Sequence, residues 1–442
     1  MVFSSFTFLF TFLPAVLFLY YLTPRKGRNT VLLLMSLLFY AGGEMEYLWL
    51  LLTVVTANYG FARLLVRFRP RAKWILAIGV SANLLCLGYF KYLPLVGIFN
   101  VRLPLGISFF IFQALSYLVD VYRRDVPVQK NIGAFATYIT LFPQLIAGPI
   151  VRYASFLPQL KRRREGAFVS GVQLFLTGLA KKLLLANPMG ALARELLNQP
   201  GFLASWGMVA AFAFQIYYDF SGYSDMARGL GRMFGFSFDP NFDYPYTAVS
   251  VTDFWRRWHI SLSAWFREYV YIPLGGNRCG KGRQCVNLLI VWGLTGLWHG
   301  ASWNYLLWGL YYALILCIEK LFLLEKLNKM PLFLRRCYTF FFVLIGWAIF
   351  YFEDMDALFH FLPRLFWWEA GNKEAAALLQ GSVFLLFGAI LGAGPWLRRI
   401  LVRNRSSIWV RWGMVAAGGV GFLLCLGALA GQGYNPFLYF RF

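Results

Sequence analysis

Charge is scarce in this chain. Only 14% of its 442 residues are Asp, Glu, Lys or Arg, against about 25% in a soluble globular domain. No long stretch has soluble composition, which argues against a separate soluble domain. Carboxylates are the rarer sign, with 19 Asp and Glu against 42 Lys and Arg, for a net charge of +23. Cysteine is sparse too. Cys86, Cys279, Cys285, Cys317, Cys337 and Cys425 form no C-x-x-C pair, so neither a metal site nor a disulfide framework is expected. There is no Gly-x-Ser-x-Gly elbow, so a serine nucleophile has no local support. Tandem repeats and low-complexity segments are absent. So are the paired intramembrane charges or inverted repeats that a transporter would want. The first 22 residues lack a basic n-region and a small-residue cleavage site, and read as a retained first helix.

What the chain has is apolar surface: 59% of its residues are hydrophobic and 19% aromatic. The expected fold is an all-α polytopic membrane protein. The excess cations cluster at the ends of apolar runs, as expected of loops against an anionic cytoplasmic lipid face. Nucleic acid is the weaker reading. The first five apolar runs alternate in flanking charge. Arg25, Lys26 and Arg28 follow the first, and Glu44 and Glu46 the second. Arg63, Arg67, Arg69, Arg71 and Lys73 close the third, and Arg123 and Arg124 the fifth. The positive-inside rule then puts the N-terminus outside. Later spans are expected at 167–186, 201–218, 340–352, 375–396 and 412–430, with Arg398, Arg399, Arg403 and Arg405 on the cytoplasmic side.

Residues 286–318 contain no charge and are long enough to cross a bilayer core, which needs about 20 apolar residues. His299 sits in their middle. An ionisable group at membrane depth is a functional-site candidate unless a neighbouring helix simply satisfies it. Gly293, Gly296 and Gly300 would allow close backbone approach there, and Trp292, Trp298 and Trp303 could wall the imidazole. Three further stretches stand out. FPQLIAGPI at 142–150 breaks an apolar run with two prolines and a glycine, and reads as a re-entrant segment. DFSGYSD at 219–225 is either a polar lining or a capped helix end. Residues 241–283 mix aromatics and cations, including Asp253, Arg256, Trp258 and His259, and are too polar to span. An amphipathic helix at the interface followed by a Gly-rich loop is expected there. His360, the third histidine, reads as ordinary.

Taken together, these blocks resemble the membrane-bound O-acyltransferase (MBOAT) family, in its bacterial alginate O-acetyltransferase-like branch. The matching motifs are PLGIS (104–108), DVYR (120–123), FPQLIAGP (142–149), DFSGYSD (219–225), DFWRRWH (253–259), PLGGNR (273–278), GLWHG (296–300) and YNPFLYFRF (434–442). They span the chain in order.

The resemblance implies a single membrane domain over 1–442. It would comprise N-terminal spans (1–130), a catalytic core with re-entrant segments (131–330), and C-terminal spans with an aromatic tail (331–442). Roughly eleven transmembrane helices, with re-entrant and interfacial helices, would ring a central funnel. The family histidine at the constriction maps to His299 and a second to His259. On this reading His299 is the general base for acyl transfer to a hydroxyl, since an imidazole titrates near neutrality. His259 would orient it or hydrogen-bond the donor carbonyl. Gln144, Asp219, Ser221, Asp225, Asp253, Arg256, Trp258, Trp298 and Asn304 are candidates for lining the tunnel or binding the donor. Tyr439, in the aromatic tail, is a candidate acyl relay, against the plainer reading of an interfacial aromatic belt. No bound cofactor is expected. The donor substrate would be acetyl-CoA or an acyl-carrier thioester, drawn by the excess cations. The partners expected are an extracytoplasmic or membrane-anchored acetyltransferase, an acyl carrier protein, membrane lipids and a polysaccharide acceptor. The expected location is the cell membrane. D-alanyl transfer to teichoic acid is the alternative within the class, and a non-enzymatic scaffold or a transporter the alternative outside it.

Overall fold

Long apolar segments satisfy their backbone hydrogen bonds internally, so a chain of this composition should be helical wherever it is ordered. The computed structural model describes residues 2–93, 102–146, 148–164, 166–404, 406–431 and 437–438, and among them there are helices and no strand. Six helical segments are long and apolar enough to cross a membrane: Arg28–Arg67, Arg69–Lys91, Phe168–Leu197, Trp303–Lys329, Leu332–Tyr351 and Ile408–Gly431. A seventh forms if Lys373–Gly381 and Val383–Gly392, bent by 53°, count as one span. The protein is therefore multi-pass. The helix Phe8–Leu22 is apolar but shorter.

The chain divides into two compact units. One comprises residues up to 175 together with 223–239; the other comprises 176–222 and 240–431. In the first, helices Leu48–Arg67 and Ala72–Lys91 are clamped by a buried side-chain pair. Asn58 and Asn83 each donate an amide N–H to the other's carbonyl, at 3.0 and 2.8 Å. Such reciprocal pairing satisfies both amides away from water. Phe3, Phe8, Phe12, Phe39 and Phe142 form a purely hydrocarbon cluster, with Phe142 edge-on to Phe12 at 5.4 Å. Phe142 opens the proline-interrupted stretch. Helix Ile132–Thr140 stops at Leu141, and a single turn, Phe142–Leu145, follows with all four residues buried. Its freed backbone is caught: Ser36 Oγ accepts from Phe142 N at 3.0 Å, and Gln144 donates to the Tyr138 carbonyl at 2.6 Å. Irregular backbone inside an apolar protein persists when it is sealed in this way.

In the second unit, residues 286–318 are not one continuous helix. They belong to two, Lys281–His299 and Trp303–Ile318, and the break falls immediately after His299. Gly300 and Ser302 are extended there. The two helices pack antiparallel at very close range because two glycines face the opposite backbone. A Cβ on Gly296 would meet the Tyr305 carbonyl oxygen at 2.3 Å, and one on Gly309 would meet that of Trp292 at 2.3 Å. Small residues at such crossings let backbones touch. Gly293, by contrast, faces open space.

The stretch 219–225 lies inside a 32-residue helix, Phe202–Met233, so its acids and serines do not cap a helix end. Residues 241–283 hold two short helices, Val251–Arg257 and Ile260–Phe266, instead of one amphipathic helix. They bury Phe254, Trp255, Trp258, Leu262 and Trp265. So many large apolar side chains on both helices bury more surface inside the unit than one lipid-facing stripe would.

Candidate active site

His299 ends its helix, with its side chain buried and boxed by rings. Trp298 stands edge-on at 5.0 Å between centroids, Trp308 at 5.1 Å and Phe350 at 5.3 Å. Trp308 arrives from the returning helix of the hairpin and Phe350 from helix Leu332–Tyr351. Asn304 secures that wall by donating to the carbonyls of Phe350 at 3.2 Å and Ile349 at 3.4 Å. A second layer of Trp255, Trp292, Tyr312 and Trp347 packs behind Trp308. Trp303, expected in the wall, is 72% exposed; the wall is built by Trp308 and Phe350 instead.

His259 reaches the same place from a different element. Ser250 caps helix Val251–Arg257, its Oγ accepting from Asp253 N at 3.0 Å. The chain then turns through His259, whose φ of 44° is left-handed, into helix Ile260–Phe266. That conformation is uncommon for a non-glycine residue and needs holding. Asn241 holds it. Its carbonyl oxygen atom O accepts Ile260 N at 3.0 Å, and its side-chain Oδ1 meets His259 Nδ1 at 3.2 Å. Phe220 lies edge-on to the imidazole at 4.7 Å, and Trp298 at 6.0 Å. The two histidines thus share one neighbour, Trp298.

The tautomer of His259 follows from Asn241. Its Oδ1 also accepts from Ser261 N at 3.0 Å and Ser261 Oγ at 2.9 Å. A backbone N–H must meet an oxygen, so the amide orientation is fixed and His259 Nδ1 must be the donor. In the neutral ring Nε2 then carries the lone pair. Residues 240–280 belong to none of the long spans, and burial pushes the His259 imidazole down to about 3. His259 is therefore neutral at physiological pH, and its Nε2 can accept a hydrogen bond but cannot donate one. That favours the orienting role over donation to a substrate carbonyl.

The other candidates divide. Trp258 is buried against Trp347 at 4.8 Å, and Trp347 against Phe350 at 5.7 Å, so it belongs to the same aromatic body. Asp219 is buried one residue from Phe220 and forms an ion pair of 2.5 Å with Lys182, both side chains 3% exposed. Ser221 is buried two residues further on. Asp253 serves its own turn, bonding Val249 N at 3.1 Å and Arg257 Nε at 3.0 Å. Arg256 is exposed. Gln144 and Asp225 belong to the first unit, where Asp225 pairs with Arg228 at 3.1 Å. Tyr439 lies outside the described residues. His360 is exposed, with Nδ1 at 2.7 Å from the Asp356 carbonyl oxygen. Asn241, Phe220, Trp308, Phe350 and Lys182 were not singled out from sequence: Trp308 lies close to His299 in one hairpin but reads as an ordinary apolar-run tryptophan, and the others meet their histidine or Asp219 only through the fold.

Comparison with known proteins supplies the family. The family model described as MBOAT, membrane-bound O-acyltransferase family, matches residues 126–353, a range holding both histidines. The chain is 37% identical to a probable alginate O-acetylase of Pseudomonas putida, with all of both chains covered. It is 32% identical to a peptidoglycan O-acetyltransferase of Helicobacter pylori, covering 81% of this chain and 78% of that one. A teichoic acid D-alanyltransferase of Streptococcus thermophilus is 30% identical over 51% of this chain and 59% of its own. A buried imidazole at a helix break, a second one on the same tryptophan, and a full-length relative of this kind lead to one assignment: the chain belongs to the membrane-bound O-acyltransferase family.

Proposed function

We propose that the protein is an O-acetyltransferase of the cell membrane, which moves an acetyl group from a thioester donor toward hydroxyls of an extracytoplasmic polysaccharide. The observation that carries this reading is the pair of buried imidazoles that both neighbour Trp298, in a unit that otherwise walls itself with rings. The two acetyl-transferring relatives cover far more of this chain than the D-alanyl-transferring one, which favours acetyl as cargo. An outside N-terminus is part of this reading, and the flanking charge of the early apolar runs supports it. Acetyl-CoA or an acyl-carrier thioester supplies the group, and a membrane-anchored or extracytoplasmic transferase completes delivery.

The step is an acyl exchange. His299 takes the proton from the attacking hydroxyl as the oxygen bonds to the thioester carbonyl carbon. The carbon–sulfur bond breaks, and the proton passes to the leaving thiolate, giving an ester and a free thiol. A neutral imidazole near its working pH suits both halves of that transfer. His259, held with its lone pair on Nε2, accepts a hydrogen bond and keeps the proton-handling imidazole in one orientation. The ring wall excludes bulk water, which would otherwise hydrolyse the thioester.

The test is turnover of radiolabelled acetyl-CoA by protein purified into nanodiscs, comparing wild type with His299→Ala. Loss of turnover in an assembled His299→Ala protein supports the reading. Wild-type protein inactive on acetyl-CoA but active on D-alanyl-carrier thioester would replace the cargo. Equal glycan acetylation in cells carrying wild type or His299→Ala would leave only a scaffold role.

A further inference from the structure

Glu319 is fully buried, 0% exposed, at the far end of the hairpin helix that begins beside His299. Its carboxylate does not face a cation within ion-pair distance among the described residues. It faces the start of helix Val251–Arg257. Val251 N donates to Oε1 at 2.8 Å, and Thr252 N and Oγ1 donate to Oε2 at 2.8 and 2.6 Å. A buried carboxylate persists when hydrogen bonds replace its water; this helix start supplies three, and Tyr338 of helix Leu332–Tyr351 also bonds the carboxylate. The helix it grips is only seven residues long and ends two residues before His259. Helices this short have little stability of their own and take their position from what holds their ends.

The opposite end of the same hairpin helix is held by Asn304, whose amide bonds the carbonyls behind Phe350 and so fixes the wall of His299. One helix, Trp303–Ile318, therefore carries an anchor for each histidine's surroundings: Asn304 at its start, and Glu319 immediately past its end. We infer that Glu319 is a positioning residue for His259, setting through three hydrogen bonds the helix that delivers this imidazole to Trp298. The inference rests on the acyl-transfer reading only for its effect on rate. The positional claim stands on geometry.

Glu319→Gln keeps the size of the side chain but turns one acceptor oxygen into a donor facing N–H or O–H groups. Thr252→Val removes only the hydroxyl bond and serves where the first variant fails to assemble. Two readouts apply to the full chain in nanodiscs. The first is carbethoxylation of each histidine by diethyl pyrocarbonate, followed by mass spectrometry, with exposed His360 as internal standard. Glu319→Gln should raise labelling of His259 about tenfold and leave His299 and His360 unchanged, and Thr252→Val should move in the same direction by less. The second is acetyl-thioester turnover, where kcat should fall about 100-fold with KM unchanged, the size expected of misplacing a site group by about 1 Å. Unchanged His259 labelling in both variants overturns the inference. So does equal labelling of His259 and His299, which would mark Glu319 as general support for the hairpin. If wild type turns over no thioester, the activity reading fails while labelling still decides the position of His259.

Discussion

Two aromatic bodies in this protein use the same packing to different ends. In the first unit Phe3, Phe8, Phe12, Phe39 and Phe142 meet at 5.0–6.5 Å and contain no polar atom in their side chains. In the second unit Trp255, Trp298, Trp308, Trp347 and Phe350 meet at similar spacing, but around two imidazoles and with an N–H on every indole. Both bodies gain the hydrophobic and edge-to-face energy of buried rings. The second must also house ring N–H groups and imidazole nitrogens, and a buried polar atom demands a hydrogen-bond partner that a phenyl ring does not. A core chosen for stability alone would look like the phenylalanine cluster. On the acyl-transfer reading, the polar handles of the tryptophan body are what the chemistry requires of it.

The sharpest way to break the comparison is to remove its most reactive member. His299→Ala should lower acetyl-thioester turnover by about 1,000-fold, in the range of a lost general base, while the protein still elutes as an assembled species on size exclusion. Residual activity within tenfold of wild type would remove His299 from the chemistry. Next in size is Asn241→Leu, which deletes the acceptor that fixes the His259 tautomer. The loss of one such hydrogen bond should lower kcat about tenfold, and the pH–rate profile should change shape because Nδ1 and Nε2 can then exchange roles. An unaltered profile would sever Asn241 from the site. Phe142→Leu addresses the other side of the contrast. It should reduce thermal stability by about 1–2 kcal/mol through imperfect refilling of the ring space, with kcat per folded protein unaltered. A matching fall in kcat would erase the division between the two bodies.

The smallest expected effect concerns acid. Burial holds the His259 imidazole at about 3 when folded, whereas an unfolded histidine titrates near 6.5. Between those values the unfolded chain binds a proton at this residue that the folded chain refuses. Stability therefore falls as pH drops through that window and is restored as pH rises above it. His259→Gln lacks this proton, so its melting temperature should fall less than that of wild type between pH 7 and pH 5. Parallel falls would mean that His259 is protonated in the fold.

Much of this was legible in the sequence. A histidine inside a charge-free apolar run and a second in an aromatic, cationic stretch are conspicuous in one dimension, and both are buried where rings converge. The long apolar runs became helices, and FPQLIAGPI broke its helix as two prolines and a glycine dictate. The partners were harder to read. Asn241 looks like any loop asparagine until Ser261 and His259 close on it, and Glu319 looks like the charged end of a span. Asp253 drew notice by its company in DFWRRWH but is consumed by its own helix turn. The run 286–318 gave no sign of its break, because Gly300, Ala301 and Ser302 are all tolerated within apolar helices; the close antiparallel packing at Gly296 and Gly309 that accompanies the break is a fact of three dimensions.

The grip of Glu319 on Val251 also sets a timetable for synthesis. Val251 leaves the ribosome 68 residues before the side chain that will hold it, an interval of about 3–14 s at 5–20 residues per second. The halves of the His299 hairpin, by contrast, meet through residues 13 apart, Gly296 and Gly309, and can close almost as soon as they emerge. During translation the hairpin that bears His299 can close early, while the segment bearing His259 must wait for the end of that same hairpin.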